Sequence, residues 1–232
     1  GEKNGMLLTL ATPSLFTYYQ KPPTLEGTLV MCISQSGKSP DIVSVLEEGK
    51  RQGCPTLALT NDVKSPLALC ANTTLDLCVG PERAVAATKT YTAELILLAM
   101  ISAAINNRAQ DWEDLHRIKG WVDQVIELDG FIAEAVQRYR YMQQCVVLGR
   151  GYNYATSFEW ALKLKELTYV GAESYSSADF MHGPIAMVHS GFPVFSVVPE
   201  GKVFPSIFET MARLKNELDA ELVVISNVEK AL

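Results

Sequence analysis

The sequence predicts an α/β protein made of two three-layer, parallel-sheet halves joined by helices. Three observations carry that prediction. Apolar runs of strand length recur at TLVMCIS (28–34), CVVL (145–148) and ELVVIS (221–226), the pattern of parallel strands covered on both faces. Segments with helix-start signals separate them. Between the two groups of strands lies a stretch of helical spacing with no strand signal at all. Of the 232 residues, 48% are hydrophobic and 20% charged, as in a globular chain and not a disordered one, and the length suits one large or two small domains.

In the first half, the short run Met6-Leu7-Leu8-Thr9-Leu10 precedes a break at Pro22-Pro23. Thr28–Ser34 reads as a strand buried on both faces. Ser39-Pro40-Asp41 then supplies an N-cap, a proline at the first helical position and an acid in the first turn. Ile42, Val45, Leu46 and Gly49 share one helical face, and Gly53 ends the helix. Pro55–Thr60 is the next strand, Asn61-Asp62 its turn, Ser65-Pro66 the start of a short helix to Ala71, and Thr74–Val79 a third strand. This alternation implies right-handed crossovers in a parallel sheet. Arg83–Asn107, rich in Ala and Leu, reads as a long, largely buried helix.

The linking helices follow. Leu115, Ile118, Val122, Val125 and Ile126 fall at helical spacing, and Phe131, Ala135, Val136 and Tyr139 continue after Gly130. The expected boundaries are 1–107 for the first domain, 108–142 for a helical connector and 143–232 for the second domain. In the second half, Cys145–Leu148 is a strand, Gly149-Arg150-Gly151 a turn and Tyr154–Tyr169 a helix. Ser174–Asp179 reads as a polar loop, Gly191–Val198 and Glu221–Ser226 as strands, and Phe208–Leu218 as a helix. The halves are out of phase. The second opens with a strand, glycine turn and helix that the first lacks, and the first continues past the point where the second stops. A unit is therefore expected to be missing at each end, as in a piece of a longer protein that starts at Gly1 instead of Met.

Composition excludes several classes. A net charge of −6 with no basic stripe argues against a nucleic-acid partner. The longest apolar stretch, Leu95–Ile105, falls short of the roughly 20 residues a membrane span needs. The five cysteines include no CxxC pair, which disfavours a zinc knuckle and fits reduced, mostly buried thiols in a cytoplasmic protein. No metal-ligand cluster and no cofactor motif is seen: the GxxxxGK[ST] and GxGxxG spacings are both absent.

Four constellations remain. Ser34-Gln35-Ser36-Gly37-Lys38-Ser39 stands at a strand's carboxyl end and a helix start, where open parallel sheets bind ligands. Its three hydroxyls, one amide, flexible glycine and free helix N–H groups suit a phosphate dianion, and Lys38 adds a positive charge. Gly80–Lys89 joins a strand end to a long helix through small residues; taken alone, its Thr88 and Lys89 read as helix-local groups. Glu159, Lys163 and Glu166 share a helix face and can pair, and a carboxylate beside a lysine can be a proton-transfer base of tunable pKa. His182, set before Gly183-Pro184, is a candidate functional imidazole, whereas His116 and His189 read as structural.

Taken together, SQSGKSPD (34–41), AVAATKTYT (84–92), LGRGYNYATSFEWALKLKE (148–166) and HGP (182–184) resemble the sugar isomerase (SIS) family, in the tandem arrangement of isomerase modules from amino-sugar phosphate synthases and deaminases. Four motifs in the family's order over almost the whole chain make the likeness specific. It implies two flavodoxin-like, SIS-type halves. By resemblance, Ser34, Gln35, Ser36 and Ser39 bind the phosphate, and Val85 and Ala86, with Thr88 beside them, meet the sugar. Glu166 moves a proton between C1 and C2, supported by Lys163. His182 opens the sugar ring and reaches in from a partner subunit, which implies a homodimer. Lys38 stands where the synthases usually carry Glu, and Asp179 where they carry a Glu. The ADFMHGP wording is closer to stand-alone relatives, favouring a deaminase or ammonia-dependent isomerase. The competing expectation is a non-catalytic sugar-phosphate sensor, and a weaker one a lyase or epimerase on another phosphosugar.

Overall fold

The computed structural model describes residues 5–231. The chain forms two compact units, Gly1–Glu127 and Leu128–Leu232, so the connector expected at 108–142 is shared between them. In the first unit, α1 (Ser14–Thr17) precedes β1 (Val30–Ile33), α2 (Pro40–Arg51), β2 (Thr56–Thr60), α3 (Pro66–Cys70), β3 (Thr73–Asp76), α4 (Lys89–Asn106) and α5 (Ala109–Ile126). The sheet is parallel in the order β1-β2-β3, with Val30 opposite Thr56 and Leu57 opposite Thr73. Its core joins Val30, Cys32 and Ala58 to Val45 and Leu46 of α2 and Leu67 of α3. The N–H and hydroxyl of Thr56 both donate to Asn72 Oδ1, at 2.9 and 2.8 Å, and the Thr56 hydroxyl accepts the Asn72 N–H at 2.9 Å. That closure satisfies the polar ends of β2 and the β3 approach.

The second unit runs α6 (Asp129–Ala135), a 3₁₀ turn (Val136–Tyr139), β4 (Gln144–Gly149), α7 (Asn153–Thr168), β5 (Gly171–Ser176), α8 (Ser177–Phe180), a 3₁₀ turn (Pro184–Met187), β6 (Pro193–Val197), α9 (Phe204–Leu218), β7 (Glu221–Ile225) and a 3₁₀ turn (Glu229–Ala231). All four strands are parallel in the order β5-β4-β6-β7. The two-residue period of β4 decides the layering. Cys145 and Val147 point to one face, against Ala161, Trp160 and Leu164 of α7. Val146 and Leu148 point to the other, with Phe180, Phe192 and Leu214 of α9. This is the three-layer half that the sequence predicts.

Four expectations need correction. β1 is not covered on both faces: Val30 and Cys32 are buried, but Met31 and Ile33 only half so. The long helix begins at Lys89 rather than Arg83, and it is not largely buried. Only Thr90 and Ala103 are enclosed, while Leu95, Met100 and Ile105 are exposed. Its apolar residues surround the helix instead of forming one stripe, which misled the reading. Ser174–Asp179 is not a polar loop but the end of strand β5 and the helix α8. The strand's GAESYS carries too few apolar residues to signal itself, because backbone pairing with β4 holds it. Ser39 occupies the N-cap of α2, yet its side chain makes no cap hydrogen bond; Ser65 does cap α3, accepting from Ala68 N.

Candidate functional site

At the carboxyl end of β1 the chain leaves the sheet and turns into α2. Ser34 N–H still donates to Leu59 O at 3.0 Å, and Gly37 N–H folds back on Ser34 O at 3.1 Å and on Ser34 Oγ at 3.2 Å. Gly37 has φ +61°. A Cβ there would lie 2.1 Å from Ser65 Oγ and 3.0 Å from Thr60 Oγ1, so the turn accepts no side chain at that point. The turn's carbonyls are tied to the scaffold. Gln35 O accepts Asn61 N–H at 3.0 Å and the Thr60 hydroxyl at 3.2 Å, and Gly37 O accepts Leu67 N–H at 3.1 Å. With the Gln35 and Gly37 carbonyls engaged, the turn keeps donors for a ligand: the half-buried side chains of Ser34, Gln35, Ser36 and Ser39 and the unpaired first-turn N–H groups of α2. An oxyanion is the ligand such a turn is built to accept.

A cleft of about 430 Å³ opens on this turn, lined by Gln35, Ser36, Lys38, Asn61, Asp62, Gly80, Pro81 and Glu82. Lys38 Nζ lies 3.9 Å from Asp62 Oδ2, and both side chains are exposed; Asp62 Oδ1 also accepts Lys64 N–H at 2.9 Å. Glu82 Oε2 accepts Thr88 N–H at 3.2 Å, Thr90 N–H at 3.3 Å and the Thr90 hydroxyl at 3.0 Å. Desolvation pushes the Glu82 carboxyl up, but the hydrogen bonds from Thr90, Thr88 and Ala84 outweigh it and hold the group below the ordinary range. Both carboxylates of the cleft are thus engaged. Sequence reading found Gln35 and Ser36 but missed Asn61, Asp62 and Glu82 as the facing wall. The signal was available: β1, β2 and β3 run parallel in that order, so their carboxyl ends share one edge with the turn. Of the expected sugar contacts, Val85 is fully exposed, Ala86 is buried, and Thr88 is exposed and fixed through its N–H to Glu82.

The remaining candidates lie in the second unit. Lys163 Nζ donates to Glu166 Oε2 at 2.8 Å and sits 3.3 Å from Glu159 Oε1, a buried oxygen that this ion pair leaves without a hydrogen bond. The hydrogen bond to Glu166, with Glu159 adding to it, holds the Lys163 ammonium above the ordinary lysine range against the effect of burial. α7 runs back against β4, so Glu166 lies at the end of the helix away from the Gly149–Gly151 turn, roughly 20 Å along its axis from Asn153. His182 is exposed just after α8, with its N–H bonded to Asp179 O at 3.0 Å. His189 Nδ1 contacts Ser190 O at 3.0 Å and its ring meets Phe192 edge-on at 5.4 Å, as a structural histidine would. The structure therefore gathers the phosphate-binding candidates on one unit and Glu166, Lys163 and His182 on the other.

The chain is similar to known proteins over most of its length. The chain is 34% identical over 218 residues to the glutamine–fructose-6-phosphate aminotransferase [isomerizing] of Methanosarcina acetivorans, covering 90% of this chain and 35% of that protein. It is 36% identical over 194 residues to the enzyme of that name from Thermotoga maritima, covering 80% of this chain and 32% of that one. The chain thus spans about a third of the length of the curated relatives it matches. Among solved structures, the C-terminal domain of glucosamine-fructose-6-phosphate aminotransferase from Francisella tularensis superposes with a TM-score of 0.84 at 28% identity, covering 90% of this chain and 61% of that one. Glucosamine-6-phosphate deaminase from Thermotoga maritima shares the fold, with a TM-score of 0.81 at 23% identity over 93% of this chain and 66% of that one. The SIS domain model matches residues 9–104 and 140–231, and the chain belongs to the SIS domain family.

Proposed function

We propose that this chain binds a phosphosugar at the Ser34–Ser39 turn and takes part in interconverting glucosamine 6-phosphate and fructose 6-phosphate, with loss or gain of ammonia. The carrying observation is the turn itself: a strand-end loop whose Gln35 and Gly37 carbonyls are bonded inward and whose hydroxyls, amide and helix N–H groups are left for a dianion. The phosphate supplies binding energy remote from the reacting carbons. Glu166 is the base. It takes the C2 proton of the open-chain amino sugar, the C–H electron pair becomes a C1–C2 double bond, and hydrogen bonds hold the charge on the C1 oxygen. Return of the proton to C1 leaves an imine at C2, which water hydrolyses to the ketone and ammonia. Lys163 orients the Glu166 carboxylate through their 2.8 Å contact. His182, contributed by the partner of a homodimer, opens the ring, a task suited to an imidazole near neutral pH.

A second reading is a sensor that binds the phosphosugar at the same turn without turnover. Product analysis separates the two. Incubation with glucosamine 6-phosphate is expected to release ammonia and fructose 6-phosphate, and Glu166→Gln to abolish that release while sugar-phosphate binding survives. Thermal stabilisation by the sugar phosphate with no product in either direction would favour the sensor.

A further inference from the structure

We propose that Asn61 and Glu82 are positioning residues that clamp the two ends of the 79–88 segment and so fix the span between the phosphate-binding turn and the sugar; the proposal rests on the phosphosugar reading above. At the near end, Asn61 touches both walls of the cleft. Its backbone N–H donates to Gln35 O at 3.0 Å, its Nδ2 donates to Gly80 O at 2.6 Å, and its Oδ1 accepts Val79 N–H at 3.4 Å. One residue thereby couples the phosphate turn to the start of the segment. At the far end, Thr88 stands at the N-cap of α4 without a side-chain cap of its own. Glu82 Oε2 instead receives Thr88 N–H, Thr90 N–H and the hydroxyl of the fully buried Thr90. A single carboxylate oxygen closes the loop and satisfies donors that the helix start leaves open.

Both residues line the cleft, and Val85 and Ala86 lie between the two clamped ends. A free phosphate needs only the Ser34–Ser39 turn. A sugar phosphate needs the turn and the segment at a fixed separation, so a loosened segment lowers sugar-phosphate affinity through lost preorganisation and leaves the phosphate contact intact. A purely structural helix cap would affect both ligands alike.

The test is calorimetric titration of the 232-residue chain with fructose 6-phosphate and with inorganic phosphate. The unaltered chain is expected to prefer the sugar phosphate. Glu82→Ala should weaken fructose 6-phosphate by about tenfold or more and inorganic phosphate by less than about twofold. Glu82→Gln, which keeps an oxygen acceptor, should recover to within about threefold of the unaltered chain. Should Glu82→Ala lose its circular-dichroism signature, Asn61→Ala carries the same selectivity measurement. Equal losses for the two ligands, or an unchanged sugar-phosphate affinity in these variants, overturns the clamp while the phosphosugar reading stands. An unaltered chain that binds neither ligand overturns both.

Discussion

The turn after β1 and the turn after β4 both stand at a strand's carboxyl end, the first at the edge of its sheet and the second inside it, yet they dispose of their hydrogen-bond donors differently. Each contains a glycine at which a Cβ would overlap a neighbour: one on Gly37 would meet Ser65 Oγ at 2.1 Å, and one on Gly149 would meet Asn153 O at 2.2 Å. Their hydroxyls are used differently. After β1, Ser34, Ser36 and Ser39 are half-buried around the turn, and Ser36 lines the cleft. After β4, the nearby hydroxyl of Ser157 is buried and already bonded to Tyr154 O at 2.7 Å and Ser174 Oγ at 2.8 Å. A strand's carboxyl end therefore offers a place for a ligand, and the accounting of donors decides whether it is used.

Glycine substitutions probe this comparison with the largest effects. Gly37→Ala combines a left-handed backbone, which costs a non-glycine residue about 1 kcal/mol, with an overlap worth roughly 2 kcal/mol more, and it should also abolish phosphosugar binding. Gly151→Ala has a similar φ of +59°, but its nearest neighbour would be Val203 Cγ1 at 3.4 Å, so only the backbone cost of about 1 kcal/mol is expected. Urea unfolding of the two variants measures the gap. Equal losses would show that the crowding around Gly37 relaxes freely.

Hydroxyl deletions come next and should separate the turns by kind of effect. Ser36→Ala is expected to weaken phosphosugar binding by about tenfold, the order of one hydrogen bond to a charged group, and to leave stability within about 0.5 kcal/mol. In Ser157→Ala the half-buried Ser174 hydroxyl loses its partner, which should lower stability by about 1 kcal/mol without touching binding. Titration calorimetry and urea unfolding on both variants give the cross-check. An unchanged affinity in Ser36→Ala would undo the phosphate assignment of the first turn.

The same contrast explains what could be read from the residues. The strands of the second sheet were legible where both faces are packed, since Val146, Val147 and Leu148 make an unbroken apolar run. β5 was not: its GAESYS residues owe their conformation to pairing with β4, and pairing leaves no mark on composition. The candidate phosphate turn stands out in the sequence because its groups are contiguous, Ser34 to Ser39. The opposite wall was not, because Asn61 and Glu82 stand 26 and 47 residues beyond Gln35 in the chain and meet it only through strand order. Helix α4 misled because its apolar residues run all around the helix, a pattern that signals burial only when something covers each face.

The smallest expected effects come from two carboxylates that fasten each unit. In the first, Glu48 accepts both Arg51 Nη2 and Nε at 2.6 and 2.7 Å, and Gln52 Nε2 at 2.7 Å; Gln52 in turn holds Leu25 N–H and Pro23 O. In the second, Glu221 accepts Arg138 at 2.6 and 2.8 Å and the Tyr139 hydroxyl at 3.0 Å. Hydrogen bonds from Arg51, then Gln52, bring the Glu48 carboxyl down to about 2, and the Arg138 hydrogen bonds likewise hold Glu221 below the ordinary range. For a carboxylate lowered on folding, the stabilisation is present above the unfolded pKa near 4.5 and is lost as pH falls through the folded value. Glu48→Gln should therefore cost less than about 1 kcal/mol at pH 7, because solvent screens the exposed arginine, and the deficit should vanish as pH approaches 2. Glu221→Gln should cost more at pH 7, since its partners lie 83 and 82 residues away and tie the Val136–Tyr139 turn to β7, whereas Glu48 bonds only to residues three and four ahead on its own helix and at its cap. Urea unfolding at pH 7 and at stepwise lower pH reads both differences. A Glu48→Gln deficit that persists at the acid end would mean that the pair contributes through packing of its side chains and not through its charge.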